Sequence, residues 1–235
     1  MDFQMIHIEP NSCVLFDKIV YFLHEIIYTF IIKVNQYRHS MKNIILKKIE
    51  KNGGLMTTAQ AVSWGVSKTM LGKYVKSGSL VRVRHGIYAL PDVIIDDAFA
   101  LHLQNENIVF SHDSALFLNG LADRTPFTHT VSVRSDKVLP KSIKDQCNCF
   151  YVHPDLFKIG LTKKRTTFGN MVPCYDAERT LCDILRSRRR LDDETVVAAI
   201  KNYSKSNEKD LFRLYEYAPK FHVLTTLKKY LEVLL

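Results

Sequence analysis

Polar and apolar positions recur with helical spacing in two short segments that lie on either side of Gly65. Thr57 and Thr58 each offer a hydroxyl that can cap a helix over about residues 59–64. Gly65 then lets the backbone leave the helical conformation. This pattern predicts a first short helix that ends in a tight turn.

The second segment, residues 68–77, divides more sharply into two faces. Ser67 can cap its N-terminus, and Gly78 ends it. The apolar face consists of Leu71, Tyr74 and Val75, and the polar face of Lys68, Thr69, Gly72, Lys73 and Lys76. The spacing predicts a second helix with one buried face and one basic face.

Beyond Gly78 the hydrophobic period changes from that of a helix to that of a strand. Residues 80–83 and 87–90 alternate like two short strands, and residues 84–86 connect them as a basic turn. A helix, a turn, a second helix and a small basic hairpin are the layout of a winged helix-turn-helix. We therefore predict a DNA-binding domain over residues 41–91.

The remainder of the chain predicts a second domain over residues 92–235. Helices are expected over about residues 92–105, 111–121, 176–190, 192–204, 209–217 and 221–235, strands over about 108–110, 128–134 and 149–153, and a hairpin over 166–173. The predicted fold class is α+β, with an N-terminal winged helix-turn-helix followed by a mixed α+β domain that ends in a helical bundle.

Residues 1–40 form an apolar N-terminal extension that is predicted to be helical. A membrane span needs about 20 predominantly apolar residues, and four charged or titratable side chains between residues 17 and 25 interrupt this one, so no membrane span is predicted. Its apolar face can dock on the rest of the chain, lie on a membrane surface or bind a partner. Met41 looks like a natural start, which leaves open whether residues 1–40 belong to the native protein.

The basic charge of the protein is concentrated in residues 41–90. The 235-residue chain has a formal net charge of +9, and residues 41–90 hold nine basic side chains and one acid. Such segregation favours a phosphate-bearing partner. A solvated helical surface is the alternative interpretation, but one acid in fifty residues makes double-stranded DNA the preferred partner.

The second helix is the element expected to enter the major groove, and the hairpin is expected to contact the DNA backbone or the minor groove. The predicted DNA contacts are Ser67, Lys68, Thr69, Lys73 and Lys76 on the helix and Arg82, Arg84 and His85 on the hairpin.

A second basic cluster comprises Arg186, Arg188, Arg189 and Arg190. These arginines lie at the end of a predicted helix, where cations are favoured electrostatically, so a solvated helix end explains them. Their density leaves a second contact with nucleic acid or with an acidic partner as the alternative.

The sequence contains no recognisable catalytic, cofactor or metal motif. It lacks the glycine-rich phosphate-binding and dinucleotide-binding motifs, the H-E-x-x-H zinc motif and the G-x-S-x-G nucleophile motif. Ser111, His112 and Asp113 are adjacent in sequence, whereas the groups of a catalytic triad converge from separate segments. We expect Ser111 and His112 to organise the start of a helix, and we predict neither a cofactor nor a metal.

Cysteine usage indicates a cytoplasmic protein. The five cysteines form no disulfide-framework pattern, and no signal peptide precedes them. Cys147 and Cys149 have no second pair of ligands at metal-binding spacing, so we expect reduced thiols.

Three blocks of sequence resemble the AbiEi antitoxins of type IV toxin–antitoxin (abortive infection) systems. They are residues 53–60 (GGLMTTAQ) with residues 71–88, residues 111–121 (SHDSALFLNGL), and residues 176–183 (DAERTLCD). The resemblance covers about residues 41–235, and residues 1–40 lie outside it.

This resemblance implies a transcriptional autorepressor that binds inverted repeats in its own promoter. It also implies an antitoxin that counteracts a co-encoded nucleotidyltransferase-like toxin without a stable complex, and no intrinsic catalysis. Two alternatives stay open. One is a winged-helix regulator with a ligand-sensing C-terminal domain, and the other is an enzyme that modifies the toxin or nucleic acid.

Overall fold

The computed structural model describes residues 24, 26–30, 32–33 and 43–234. The chain divides into two compact units, Met1–Lys51 and Asn52–Leu235. The predicted domain boundaries at residues 41 and 92 stay predictions.

In the first unit, residues 24, 26–30 and 32–33 are helical, and helix α1 covers residues 43–51. The apolar face predicted for the extension comprises Leu15, Ile19, Phe22, Leu23, Ile26, Phe30 and Val34. Of these, Ile26 and Phe30 are exposed. The rest of that face lies outside the described residues.

The second unit begins with a small sheet and two helices. Its first elements are β1 (Leu55–Thr57), α2 (Thr58–Ser63), α3 (Lys68–Lys76), β2 (Val81–Arg84) and β3 (Ile87–Ala89). The three strands are antiparallel in the order β1-β3-β2. The two predicted helices and the predicted hairpin are confirmed, and β1 is an additional strand that leads directly into α2.

Local capping explains where α2 and α3 begin. Thr57 and Gln60 form a capping box, in which Thr57 Oγ1 accepts from the Gln60 amide at 3.0 Å and Gln60 Oε1 accepts from the Thr57 amide at 2.8 Å. Ser67 Oγ accepts from the Met70 amide at 3.2 Å. Gly65 ends the first helical segment with a φ of 85°, a value that glycine adopts without strain.

The rest of the second unit combines helices with a mixed sheet. Its helices are α4 (Asp97–Gln104), α5 (His112–Leu118), α6 (Lys141–Lys144), α7 (Pro154–Phe157), α8 (Ala177–Arg186), α9 (Asp193–Lys205), α10 (Leu211–Lys220) and α11 (Leu224–Leu234), with a 3-10 turn over Arg188–Arg190. Its strands are β4 (Val109–Phe110), β5 (His129–Arg134), β6 (Cys147–Val152), β7 (Leu161–Arg165) and β8 (Met171–Tyr175).

The larger sheet has the strand order β6-β5-β4-β8-β7. β5 runs parallel to β6, and β4 runs parallel to β8, while the remaining neighbours are antiparallel. One apolar core lies between this sheet and helices α4 and α5. A second core joins helices α8 to α11. The mixed sheet and the helices confirm the α+β class.

Two predicted helices extend at one end by four or more residues beyond the observed helix. The helix expected from residue 92 begins at Asp97, since Asp96 Oδ1 accepts from the Phe99 amide at 3.1 Å. The helix expected over 176–190 ends at Arg186, and a 3-10 turn follows it. Among the helices that the structure describes, none is long and apolar enough to cross a bilayer.

Candidate nucleic-acid interface

The polar face of α3 carries lysines that the rest of the second unit leaves free. Lys68, Thr69, Lys73 and Lys76 are all exposed. Leu71, on the opposite face, is only 1% exposed. Among the residues that the structure describes, no ion pair involves any of the three lysines. The helix therefore presents three uncompensated cations to solvent.

Ser67 differs from the other predicted contacts on α3. Its side chain is exposed, but its hydroxyl oxygen already accepts the Met70 amide as the N-cap. The hydroxyl hydrogen stays available as a donor. Ser67 is thus placed at the N-terminal end of α3, next to Lys68.

Arg82 and His85 lie together at the exposed end of the hairpin. Arg82 Nη2 and His85 Nδ1 are 3.1 Å apart, and both side chains are exposed. The pairing register of β2 against β3 shifts between Arg82 and Arg84. Such a bulge increases the local twist and changes where the neighbouring side chains point.

Arg84 is in a different environment from Arg82. Its side chain is 21% exposed, and its Nη2 donates to Asp97 Oδ1 at 2.8 Å. This ion pair joins the hairpin to the first turn of α4. Arg84 is therefore the one predicted hairpin cation that the fold of the described residues already pairs with an acid.

Asp96 directly precedes Asp97 in sequence. It connects the start of α4 to the turn between β7 and β8. It is 3% exposed. Its Oδ2 accepts from Thr166 Oγ1 at 2.5 Å and from Asn170 Nδ2 at 2.8 Å. Gly53 passes so close to Asn170 that a Cβ there would collide with the Asn170 side chain. This contact was not predicted, because its partners lie seventy or more residues apart in sequence.

Apolar packing supports the same connection. Leu55, Ile87 and Ala89 of the small sheet share a buried cluster with Ala100 of α4. The hairpin is therefore attached to α4 by a core contact as well as by the Arg84–Asp97 ion pair.

The local charge is entirely basic. Residues 52–91 contain Lys68, Lys73, Lys76, Arg82 and Arg84, and they contain no Asp or Glu. Asp97 is the acid that the fold adds to this surface, beside Arg84. A field of this sign attracts phosphate groups, and it acts over about 8–10 Å at physiological salt.

The second basic cluster lines a separate cavity, which we call the arginine pocket. Its volume is about 720 Å³. The residues that line it are His112, Cys149, Phe150, Tyr151, Val152, Arg179, Asp183, Arg186, Ser187, Arg188, Arg189 and Arg190. The four clustered arginines are exposed.

His112 forms part of the wall of the arginine pocket. Its Nε2 lies 3.1 Å from Ser187 Oγ, and its ring stacks on Phe150 with the centroids 3.7 Å apart. Burial lowers the pKa of His112 to about 3, and the positive charges of Arg179 and Arg190 act in the same direction. His112 is therefore neutral at physiological pH.

The expectation for Ser111 is wrong in one respect. It occupies the N-cap position of α5, but its side chain makes no capping hydrogen bond. Its Oγ instead lies 3.1 Å from His112 Nδ1 and accepts from Ser132 Oγ at 2.9 Å. Ser111 therefore orients the buried histidine.

Arg179 and Asp183 close the base of the arginine pocket. Arg179 Nε donates to Asp183 Oδ1 at 3.0 Å, and both side chains are almost fully buried. Burial raises the pKa of Asp183 to about 6, and the Arg179 guanidinium opposes that rise. Arg179 Nη2 and Asp183 Oδ2 have no hydrogen-bond partner among the described residues.

No metal site is found in the described part of the chain. The described residues contain no group of three or more His, Cys, Asp or Glu side chains in ligating positions. Cys147 and Cys149, both free, have their sulfur atoms 3.5 Å apart.

Comparison with known proteins identifies one part of the chain. Residues 43–91 match the family model described as "Transcriptional regulator, AbiEi antitoxin". The match confirms the resemblance to AbiEi antitoxins on the segment that holds α1 to β3. No curated protein matches the sequence.

A solved structure with a similar fold supports this architecture. It is the crystal structure of the RV2827C protein from Mycobacterium tuberculosis, which has 13% sequence identity and a TM-score of 0.55. The alignment covers 77% of this chain and 71% of that chain. At this identity the likeness concerns the fold alone.

Proposed function

We propose that this chain, which matches the AbiEi regulator family over residues 43–91, is a DNA-binding transcriptional repressor that also acts as an antitoxin. The observation that carries the proposal is the exposed face of α3. Lys68, Lys73 and Lys76 are uncompensated there, in a segment without a single acid.

The proposed arrangement is a winged helix-turn-helix in which α3 is the recognition helix. An α-helix with its side chains is about 10–12 Å in diameter, which matches the major-groove width of about 12 Å, so the nine-residue α3 can lie in the groove. Thr69 and the Ser67 hydroxyl hydrogen are then near base edges, while Lys68, Lys73 and Lys76 reach phosphates. Arg82 and His85 follow the DNA backbone or the minor groove from the hairpin.

Arg84 has two roles in this proposal. A guanidinium has five N–H donors, and Asp97 takes one of them. The remaining donors can contact a phosphate while the ion pair holds the hairpin against α4. Arg84 therefore positions the hairpin and contributes to the DNA contact.

The family match supports the antitoxin half of the proposal. We propose that the protein represses its own promoter at inverted repeats. It would counteract a nucleotidyltransferase-like toxin, encoded beside it, without forming a stable complex. The neutralising function is assigned to residues 92–235, because the basic DNA-binding surface lies outside them. We propose no catalysis by this chain and a cytoplasmic location.

One cavity favours a second candidate function, a regulator that senses a small ligand. A pocket of about 350 Å³ is lined by Arg84, Asp97, His129 and Phe168, among others. A ligand bound there would touch the ion pair that joins the hairpin to α4. Ligand binding would then change how the hairpin is held.

A promoter–reporter fusion tests the repressor function. The DNA upstream of the gene drives the reporter, and the chain is supplied from an independent promoter. We expect the wild-type chain to repress and the Lys68→Ala/Lys73→Ala variant to derepress. Lys201→Ala/Lys205→Ala removes the same charge from exposed positions of α9 and is expected to repress normally. Equal repression by both variants contradicts the role of α3.

Growth of cells that express the toxin gene adjacent to this one tests the antitoxin function. Rescue by the wild-type chain supports it. Failure of a folded wild-type chain to rescue leaves a repressor without antitoxin activity.

A further inference from the structure

We propose that the arginine pocket binds a nucleotide, with the arginines on its phosphates and the Phe150 side of the pocket against its base. This inference goes beyond the proposed function and does not depend on it. The pocket is built by β6, α5, α8 and the 3-10 turn, whereas the DNA-binding surface is built by α3 and the hairpin.

The charge of the pocket selects a phosphate-bearing ligand. Of its lining residues, five are arginines, and the one carboxylate is Asp183. Asp183 is 5% exposed and paired with Arg179, and the charge of Arg186 also acts on it, so this single carboxylate leaves most of the arginine charge uncompensated. Arginine suits this ligand because its planar fork binds phosphate oxygens in pairs.

A solvated helix end does not account for this arrangement. Cations near a helix C-terminus gain from the helix dipole, but that effect falls off within the last turn. Here the cluster continues into the 3-10 turn of Arg188–Arg190. The ion pairs found in the described part of the chain involve none of the four, and Arg188 makes the one side-chain hydrogen bond, to Thr226 at 3.2 Å. Their mutual repulsion is relieved by a bound anion.

The 3-10 turn places three consecutive arginines in the lining of the cavity. Such a turn has three residues per turn, so successive side chains point about 120° apart. Arg188, Arg189 and Arg190 therefore do not form a single flat patch. Several phosphates, or a polyphosphate, fit this distribution better than one phosphate does.

The wall beside the arginines offers a rigid aromatic surface. His112 stacks on Phe150, and its hydrogen bonds with the Ser111 and Ser187 hydroxyls fix the histidine. Phe150 is half-buried, and the Arg190 guanidinium lies 5.4 Å from its ring centroid. Nucleobases stack on aromatic rings and on guanidinium planes.

Two buried polar atoms at the base of the pocket favour a ligand that carries hydrogen-bond donors as well as phosphate oxygens. Arg179 Nη2 is an unpaired donor, and Asp183 Oδ2 is an unpaired acceptor, among the residues described. A nucleotide carries both acceptors and donors, so it can satisfy both atoms directly or through one water. An anion that carries no O–H or N–H group can satisfy only the donor.

The size of the cavity agrees with this ligand. A volume of about 720 Å³ falls within the range of small-molecule sites. The bound nucleotide has two possible sources. One is a free nucleoside triphosphate, and the other is a single nucleotide within single-stranded nucleic acid. Both present phosphates next to a planar base.

The test uses the full chain and measures three probes by titration. The probes are ATP, inorganic tripolyphosphate and a fluorescent single-stranded oligonucleotide of roughly ten nucleotides. That length is about the size bound by one single-strand-binding domain. The variant Arg186→Ala/Arg189→Ala removes two pocket cations, and Lys201→Ala/Lys205→Ala is the charge-matched control. The α3 variant Lys68→Ala/Lys73→Ala excludes binding at the DNA surface. Circular dichroism checks the fold, and Arg189→Lys serves as a milder second variant.

We expect ATP or the single strand to bind the wild-type chain. The pocket variant should weaken that binding by at least about tenfold, because each charge-assisted hydrogen bond lost costs more than a neutral one. Both control variants should retain binding, and Arg189→Lys should lie in between. Tighter binding of ATP identifies a free nucleotide, and tighter binding of the strand identifies a nucleic-acid end or loop.

Three results overturn the proposal. The first is that neither ATP nor the single strand binds. The second is that tripolyphosphate and ATP bind equally tightly, which would make the site a phosphate site only. The third is binding that the α3 variant loses and the pocket variant keeps. Since repression of the promoter is measured separately, failure here leaves the repressor function intact.

Discussion

Replacing His112 with asparagine tests the environment that the structure assigns to the arginine pocket. His112 has a φ of 47°, and asparagine tolerates this left-handed conformation better than most residues. His112→Asn removes the titrating ring and its stacking on Phe150. We expect a lower free energy of unfolding at neutral pH, together with a weaker dependence of that free energy on pH.

The magnitude follows from proton linkage. The pKa of His112 is lowered from 6.5 to about 3 in the folded chain, chiefly by burial. Below pH 6.5 the unfolded chain therefore binds a proton that the folded chain does not, so the stability due to His112 is fully present above that pH and is lost as pH falls. One such proton corresponds to about 1.4 kcal/mol per pH unit, or about 2 kcal/mol between about pH 7 and about pH 5.

Urea unfolding, followed by circular dichroism across this pH range, measures the effect. The wild-type free energy of unfolding should fall more steeply with decreasing pH than that of His112→Asn, by up to about 2 kcal/mol over the range. Burial raises the pKa of Asp183, which acts in the opposite sense, but this carboxyl is present in both proteins. His85→Asn repeats the substitution at an exposed position. If the free energy of unfolding depends on pH in the same way in wild type and His112→Asn, the conclusion that His112 is buried and neutral is refuted.

Three further predictions concern the hairpin and its attachment. Arg82→Ala should weaken binding to the promoter fragment in an anisotropy titration. Asp97→Asn should weaken it as well, because Asp97 holds Arg84 and thereby positions the hairpin. Stronger binding by Asp97→Asn would mean that this acid only masks the charge of Arg84. Arg82→Ala/Arg84→Ala should derepress the reporter yet rescue cells from the toxin, and a folded variant that fails to rescue would show that neutralisation needs DNA binding. Asp96→Ala removes the α4 cap and leaves two donors unpaired, so urea unfolding should show a loss of about 2 kcal/mol or more; a loss below about 0.5 kcal/mol would contradict the anchoring role of Asp96.

Local signals account for what the sequence predicted correctly. The caps at Thr57 and Ser67 and the helix stop at Gly65 depend on residues within four positions, so short-range pattern is enough to find them. The strand alternation of residues 80–90 is likewise local. These signals place α2, α3 and the hairpin to within one or two residues.

The contacts that sequence reasoning missed are long-range. Asp96 meets Thr166 and Asn170, and His112 meets Ser187, across seventy or more positions. No periodicity encodes such pairs, because tertiary packing alone brings the segments together. Ser111 illustrates the same limit: its sequence position favours a cap, but the neighbouring Ser132 and His112 take its hydroxyl.

The second basic cluster shows how the fold changes the meaning of a sequence signal. In sequence, Arg186 and Arg188–Arg190 are consistent with a solvated helix end. The structure adds Phe150, His112 and the buried Arg179–Asp183 pair to the same cavity. The aromatic wall comes from β6, and nothing near the arginines in sequence predicts it.

The salt dependence of DNA binding tests the central claim most directly, namely that α3 carries phosphate contacts. Anisotropy titrations of the upstream promoter fragment over a series of salt concentrations give the slope of log K against log salt. Each lost phosphate contact lowers the slope by roughly 0.9, so Lys68→Ala/Lys73→Ala should flatten it by about 2, whereas Lys201→Ala/Lys205→Ala should leave it unchanged. A slope in the α3 variant equal to that of the wild type would contradict the account.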